Sequence, residues 1–150
     1  MKYKTHKSKP HMQSENKKTN HKRKILHTML RTTDMQKSVD FYTRILGMKV
    51  LRTLDQPDEK YTLCFIGYEN EADSCVIELT YNYGVSHYEA GNSFGHIAIS
   101  VDNCKQACEE INILGGNITL PATPLKGSNE IIAFVSDPDG YQIELIQRPH

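Results

Sequence analysis

Asp137–Pro138–Asp139–Gly140, a tight turn, leads into Tyr141–Gln142–Ile143–Glu144–Leu145–Ile146, and the reading of this stretch decides the fold. Side chains alternate across a strand, so Tyr141, Ile143 and Leu145 can face a core while Gln142, Glu144 and Ile146 face the other way. An earlier run, Val76–Ile77–Glu78–Leu79–Thr80–Tyr81, echoes it, with Glu78 placed between Val76 and Thr80. A carboxylate inside an apolar strand is expensive to desolvate unless it is paired, hydrogen-bonded or bound to a metal. Either Glu taken singly reads as a solvent-facing residue on an edge strand or as half of a structural ion pair. Two in matching contexts suggest a duplicated site.

Working outward, Ile25–Arg31 reads as a strand with Leu26, Thr28 and Leu30 on one face and His27, Met29 and Arg31 on the other. Asp34 is a candidate N-cap. The helix after it, Met35 to Leu46, has apolar residues at helical spacing and stops at Gly47. Strands follow at Met48–Leu54, Tyr61–Ile66 and Cys75–Tyr81, and Asn82–Asn92 reads as a linker. The order then repeats. His96–Val101 is a strand, Asp102 a candidate N-cap, Asn103 to Leu114 a helix ended by Gly115–Gly116. Asn117–Leu120, Ile131–Ser136 and Tyr141–Gln147 are strands, with a Pro- and Gly-bearing loop over Pro121–Asn129.

The landmarks keep step. Gly47 follows His27 by 20 positions and Gly116 follows His96 by 20; Glu78 lies 51 after its His and Glu144 lies 48 after its own. An internal repeat of this kind turns single weak signals into a joint one. Each half opens with a His and closes with a Glu on the strand face turned from the helix. If the first and last strands of each curled sheet bring these together, two halves offer two imidazoles and two carboxylates. That set suits a divalent ion such as nickel, cobalt, manganese, iron or zinc, with coordination positions left open for water or substrate, as in a catalytic site.

Composition sets the bounds. A chain of 150 residues is large enough for one domain, or for two small halves sharing a core. Residues 1–24 hold nine basic side chains against the single acid Glu15. Taken from 18 basic and 18 acidic residues in the whole chain, that leaves nine basic and 17 acidic in 25–150. The overall neutrality therefore conceals a basic, polar extension on an acidic domain. The extension lacks apolar periodicity and reads as disordered and solvated rather than as a nucleic-acid-binding arm. Its histidines, His6, His11 and His21, lack metal-site spacing. No run approaches the length of a membrane span, and no apolar stretch reads as an export signal. The four cysteines show no CxxC spacing and read as reduced thiols in a cytoplasmic setting, with Cys104 and Cys108 as small buried residues on one helix face.

His27-Thr-Met-Leu-Arg31, Ser38-Val-Asp-Phe-Tyr-Thr-Arg-Ile-Leu-Gly-Met48, Val76-Ile-Glu-Leu-Thr-Tyr-Asn82, Gly95-His-Ile-Ala-Ile-Ser-Val-Asp102 and Asp137-Pro-Asp-Gly-Tyr-Gln-Ile-Glu-Leu145 closely resemble the glyoxalase I (lactoylglutathione lyase) family of the vicinal-oxygen-chelate superfamily. The resemblance runs over about residues 25–147. It implies an α+β fold of paired βαβββ modules, about 25–82 and 93–148, forming curled mixed sheets. It also implies a homodimer with metal sites between subunits, His27 and Glu78 of one chain meeting His96 and Glu144 of the other. His27, where many zinc-type members carry Gln, together with the short loops, resembles the bacterial nickel- or cobalt-activated class. Nickel is thus the first expected ion, with cobalt, zinc and manganese behind it.

The activity implied is isomerisation of the methylglyoxal–glutathione hemithioacetal to S-lactoylglutathione through an enediolate, with Glu144 as principal base and Glu78 as ligand and second acid/base. For the glutathione portion the resemblance points to Arg31, Asn82 and Lys126. Asn92 stands where some eukaryotic members carry an Arg for the glutamyl carboxylate. Two other readings use the same modules: a metal-free protein that sequesters a small molecule, of the bleomycin-resistance type, and another superfamily epimerase. An iron dioxygenase needs a three-ligand site, and the second Glu argues against it.

Overall fold

The computed structural model describes residues 22–149, so the expectation for the basic extension falls, but for its last three residues, outside the described residues. Two modules follow one another with the same plan. The first is β1 (His27–Arg31), α1 (Met35–Asp40) continued by a π-helical stretch (Phe41–Ile45), β2 (Lys49–Gln56), β3 (Tyr61–Gly67) and β4 (Val76–Asn82). The second is β5 (His96–Ser100), α2 (Cys104–Ile113), β6 (Asn117–Pro124), β7 (Ile131–Ser136) and β8 (Gln142–Gln147).

Each module makes one four-stranded sheet, in the orders β1-β4-β3-β2 and β5-β8-β7-β6. The first and last strands of each module pair in parallel, and the remaining pairs are antiparallel. The repeat holds at the level of register. Val76 lies opposite His27, with Glu78 two residues on; Gln142 lies opposite His96, with Glu144 two residues on. Both outer hairpins also shift register at the same place, between Val50 and Arg52 and between Ile118 and Leu120.

The faces follow the alternation read from the sequence. Leu30, Ile77, Leu79, Ile143 and Leu145 are buried, and with Tyr42, Ile66, Cys104, Ile111 and Val135 they form one core shared by both modules. Cys64, Cys104 and Cys108 are buried free thiols, whereas Cys75 is exposed.

Three local expectations are corrected. The second helix is capped by Asn103, not Asp102: Asn103 has extended backbone and its side chain accepts from the Gln106 N–H at 2.9 Å. Asp34 caps the first helix as expected, accepting from Lys37. That first helix does not stay α-helical to Leu46; Leu46 N–H donates to the Phe41 carbonyl, five residues back, and the last turn widens. Finally, β6 runs through Pro121 to Pro124 where a loop was expected. It is the outer edge strand, and its register is irregular there, so a proline without an N–H costs little.

The Asp137–Gly140 turn joins the modules. Asp137 is buried; it accepts from the Tyr42 hydroxyl at 2.8 Å and from the N–H groups of Asp139 and Tyr141, both at 2.9 Å. Asp139 in turn accepts from the backbone N–H and the hydroxyl of Thr33, two residues beyond β1. Burial pushes the Asp137 carboxyl above the usual range, its donors offsetting this only in part, and the phenol of Tyr42 is pushed up by burial and by the Asp137 charge.

Asp137→Ala strips three donors of their acceptor and should cost roughly 3 kcal/mol or more, read from urea midpoints. A carboxyl whose folded pKa is raised contributes fully below its unfolded value and less as pH rises through the folded one. The stability of wild type relative to Asp137→Asn should therefore grow on acidification and level off below the ordinary value of 3.8. A pH-independent difference would contradict the assignment.

Candidate active site

Parallel pairing of β1 with β4 and of β5 with β8 places each His beside the Glu of its own module. His27 Nε2 lies 2.9 Å from Glu78 Oε2, and His96 Nε2 lies 2.9 Å from Glu144 Oε2. In both pairs the imidazole is about 40 % exposed and the carboxylate far less, 39 % against 14 % and 42 % against 12 %, so each pair opens outward through its His. A phenyl ring closes each pair from the side. Phe65, directly opposite Glu78 in the ladder, meets His27 edge-on at 5.7 Å between centroids; Phe134, opposite Glu144, meets His96 edge-on at 5.3 Å.

The copies differ around this shared plan. In the first module Thr80 Oγ1 donates to Glu78 Oε1 at 3.1 Å, so both oxygens of Glu78 are engaged. The corresponding position after Glu144 is Ile146, and among the described residues only Oε2 of Glu144 has a partner. Arg52 lies over the Phe65 ring at 3.6 Å and is forked onto Glu71 at 2.8 and 3.0 Å, where the second module has Leu120 opposite Phe134. The Arg52 guanidinium holds the Glu71 carboxyl below its ordinary range.

Arg31 and Asn82 fall where the sequence places them. Arg31 continues the His27 face of β1, and Asn82 continues the Glu78 face at the end of β4. Arg31, with Met29, Tyr88, Phe94 and Tyr141 among others, lines a cavity of about 490 Å3, and Asn82 touches that lining through its hydrogen bond to Tyr88 rather than being part of it. Lys126, in the β6–β7 loop, is not part of its lining. Another cavity, of about 480 Å3, opens on the opposite faces of β1 and β5, against Thr28, Ile77, Ile97 and Ile99; it is largely apolar and holds none of the four His and Glu residues.

Sequence reasoning therefore finds both pairs but misses Phe65, Phe134 and Tyr88. The aromatic in each strand preceding a Glu was the available signal for the first two. Tyr88 sits in the linker, where periodicity carries no information. The two pairs do not converge within one chain; among the described residues no three His, Cys, Asp or Glu side chains come together as a metal-binding group. As donors each pair still fits half of a divalent-metal site: one imidazole nitrogen and one carboxylate oxygen 2.9 Å apart, in a pair that is exposed on its His side.

A profile of the Glyoxalase/Bleomycin resistance protein/Dioxygenase superfamily matches residues 24–145. Lactoylglutathione lyase of Escherichia coli O157:H7 is 59 % identical over 124 residues, covering 83 % of this chain and 92 % of that protein. Among solved structures, glyoxalase I of Zea mays superposes with a TM-score of 0.81 at 47 % identity, covering 84 % of this chain, which spans 45 % of the maize chain. The trypanothione-dependent glyoxalase I of Leishmania major superposes with a TM-score of 0.76 at 47 % identity, covering 84 % of this chain and 87 % of the Leishmania chain. The duplicated modules, their paired His and Glu residues and this degree of identity agree: the chain belongs to the Glyoxalase/Bleomycin resistance protein/Dioxygenase superfamily and, within it, to the lactoylglutathione lyase (glyoxalase I) family.

Proposed function

We infer that the protein isomerises the hemithioacetal of methylglyoxal and glutathione to S-lactoylglutathione, and so detoxifies methylglyoxal. The observation that carries this is the duplicated His–Glu pair, at 2.9 Å in both modules, in a chain 59 % identical to a lactoylglutathione lyase. His27 and Glu78 of one chain, with His96 and Glu144 of its partner in a homodimer, would hold one divalent metal ion. Nickel is the ion we propose, with cobalt, zinc and manganese for comparison. When bound, such an ion supplies Lewis-acid stabilisation of negative charge on the two vicinal oxygens of the substrate.

The side chains then divide the work. The substrate carbon bearing sulfur, hydroxyl and hydrogen must lose its proton, and the adjacent carbonyl carbon must gain one. Glu144 takes that proton and returns it to the neighbouring carbon, while the hydroxyl proton passes to the other oxygen; atoms balance with no redox step. The asymmetry between the copies supports this division. Glu144 keeps one oxygen without a partner among the described residues, whereas Thr80 and His27 engage both oxygens of Glu78, which suits a ligand more than a proton acceptor. Phe134, edge-on to His96 beside Glu144, gives the reacting carbons an apolar wall.

Arg31 can grip a glutathione carboxylate bidentately, Asn82 lies on the same face, and Lys126 would close from its loop over the glycyl end. Glutathione as co-substrate and the buried free thiols Cys64, Cys104 and Cys108 fit a cytoplasmic protein. No helix among the described residues is long and apolar enough to cross a membrane.

The test is turnover of the preformed adduct by metal-stripped protein, before and after adding each ion. Stripped protein should fall to about 1 % of its activity or less, in line with the several kcal/mol a Lewis acid supplies, and nickel or cobalt should restore it. A folded dimer inert with every ion would overturn the lyase reading.

A further inference from the structure

We propose that the linker between the modules is part of the thiol-binding subsite and that Tyr88 is its positioning residue, acting through Asn82. The inference rests on the lyase reading above and concerns how the peptide end of the substrate is held. Asn82 Nδ2 donates to the Tyr88 hydroxyl at 3.0 Å, and no other side-chain partner of Asn82 occurs among the described residues. Both residues are half-buried. An amide at the end of a strand rotates freely about its last torsion unless something holds it. Here one N–H is committed to Tyr88, which fixes the plane of the amide and leaves its carbonyl oxygen and second N–H for a ligand.

The surroundings say what that ligand is. Arg31 and Tyr88 line the same cavity of about 490 Å3, with Met29 on its β1 wall and Phe94 packed edge-on against Tyr141 at 6.1 Å. Arg31 pairs with no carboxylate among the described residues, whereas the two acids of the lining, Glu89 and Asp139, are engaged by His87 and by Thr33; the cavity therefore presents a cation, and Tyr88 links its wall to the Asn82 amide. Arg31 lies four residues along β1 from His27, about 13 Å at strand rise, a span comparable to an extended tripeptide with its reacting group attached. A thiol peptide reacting at the His–Glu pair therefore reaches this cavity with its carboxylate end. Only a linker that folds back over the end of β4 delivers the Tyr88 hydroxyl there, and the turn at Gly84, with φ of +80°, permits that reversal.

A residue that orients a binding group, without touching the reacting carbons, should change KM and spare kcat. Tyr88→Phe keeps the ring and removes the hydroxyl. We expect KM for the methylglyoxal–glutathione adduct to rise about three- to ten-fold, the worth of one hydrogen bond, with kcat within about two-fold. Asn82→Ala should raise KM at least as much, and the double variant should be no worse than Asn82→Ala alone, because the two act as one unit. The adduct of methylglyoxal with 2-mercaptoethanol, which has no peptide to hold, should be turned over equally by wild type and Tyr88→Phe.

S-methylglutathione binding, measured by calorimetry, separates the positioning role from the lyase reading beneath it. If wild type binds it and Tyr88→Phe binds equally well, the positioning role is overturned while the lyase reading stands. The positioning role also falls if the two substitutions multiply, or if the 2-mercaptoethanol adduct suffers the same loss. If wild type turns over the adduct yet does not bind S-methylglutathione, the positioning role falls and the lyase reading stands; if it neither binds S-methylglutathione nor turns over the adduct with any ion, both fall.

Discussion

Glu144→Gln should lower kcat on the methylglyoxal–glutathione adduct by roughly 10³-fold, the order a positioned general base contributes. Gln is nearly isosteric, and its amide oxygen can still face the outward His96 that Glu144 meets at 2.9 Å. Packing of Ile143 and Leu145, fully buried on the other face of β8, is untouched. The circular dichroism spectrum should therefore be unchanged and the unfolding midpoint close to that of wild type. Both carboxylates are placed as ligands and Glu144 alone as the principal base, so activity at saturating metal, where a lost ligand is compensated and a lost base is not, separates the two roles. Glu78→Gln removes a ligand whose two oxygens are already engaged by His27 and Thr80, so its main effect should be loss of bound ion, relieved in part by excess metal. Loss of kcat in Glu144→Gln should not be relieved that way. The opposite pattern, with Glu78→Gln inert at saturating metal and Glu144→Gln rescued, would reverse the two roles.

Mixed dimers should recover activity that neither parent has. His27→Ala and Glu144→Gln each disable every site in their own homodimers if each site draws its first half from one chain and its second from the other. In a heterodimer of the two, both lesions fall in one site and the other site is intact. Statistical mixing makes about half the dimers heterologous, each with one good site of two, so about one quarter of wild-type activity should return. If instead each site formed within one chain, no mixture would recover anything. The separation of the two His–Glu pairs within a chain motivates the experiment: among the described residues the pairs do not converge, yet each is open to solvent on its His side.

The arrangement around the Asp137–Gly140 turn bears on both results. It ties the entrance of β8, which carries Glu144, to Thr33 just beyond β1, which carries His27 and Arg31. In the proposed dimer these belong to different active sites. The turn would thus hold the two halves of one chain at a fixed relation while each serves a different site.

Much of this was legible in the residues alone. Alternation along Tyr141–Ile146 and Val76–Tyr81 placed Glu144 and Glu78 on the faces turned from the core, because a strand's period of two is a local property of the backbone. The repeat put His27 and His96 in matching positions, and Asp34 announced its helix by a side chain that reaches only three residues. Where local signals compete within a residue or two, as Asp102 and Asn103 do for the second cap, geometry chose between them.

What no local pattern could decide is which elements meet. Parallel pairing of β1 with β4, with two other strands and a helix between them in the chain, is what pairs His27 with Glu78. The same is true of Phe65 and Phe134 against the imidazoles, of Tyr42 on Asp137 across 95 positions, and of Tyr88 folding back onto Asn82 from a linker with no periodicity. The sequence determined which way each side chain faces; only the tertiary structure decided what it faces, because pairing between strands is settled by the packing of the whole core rather than by neighbours along the chain.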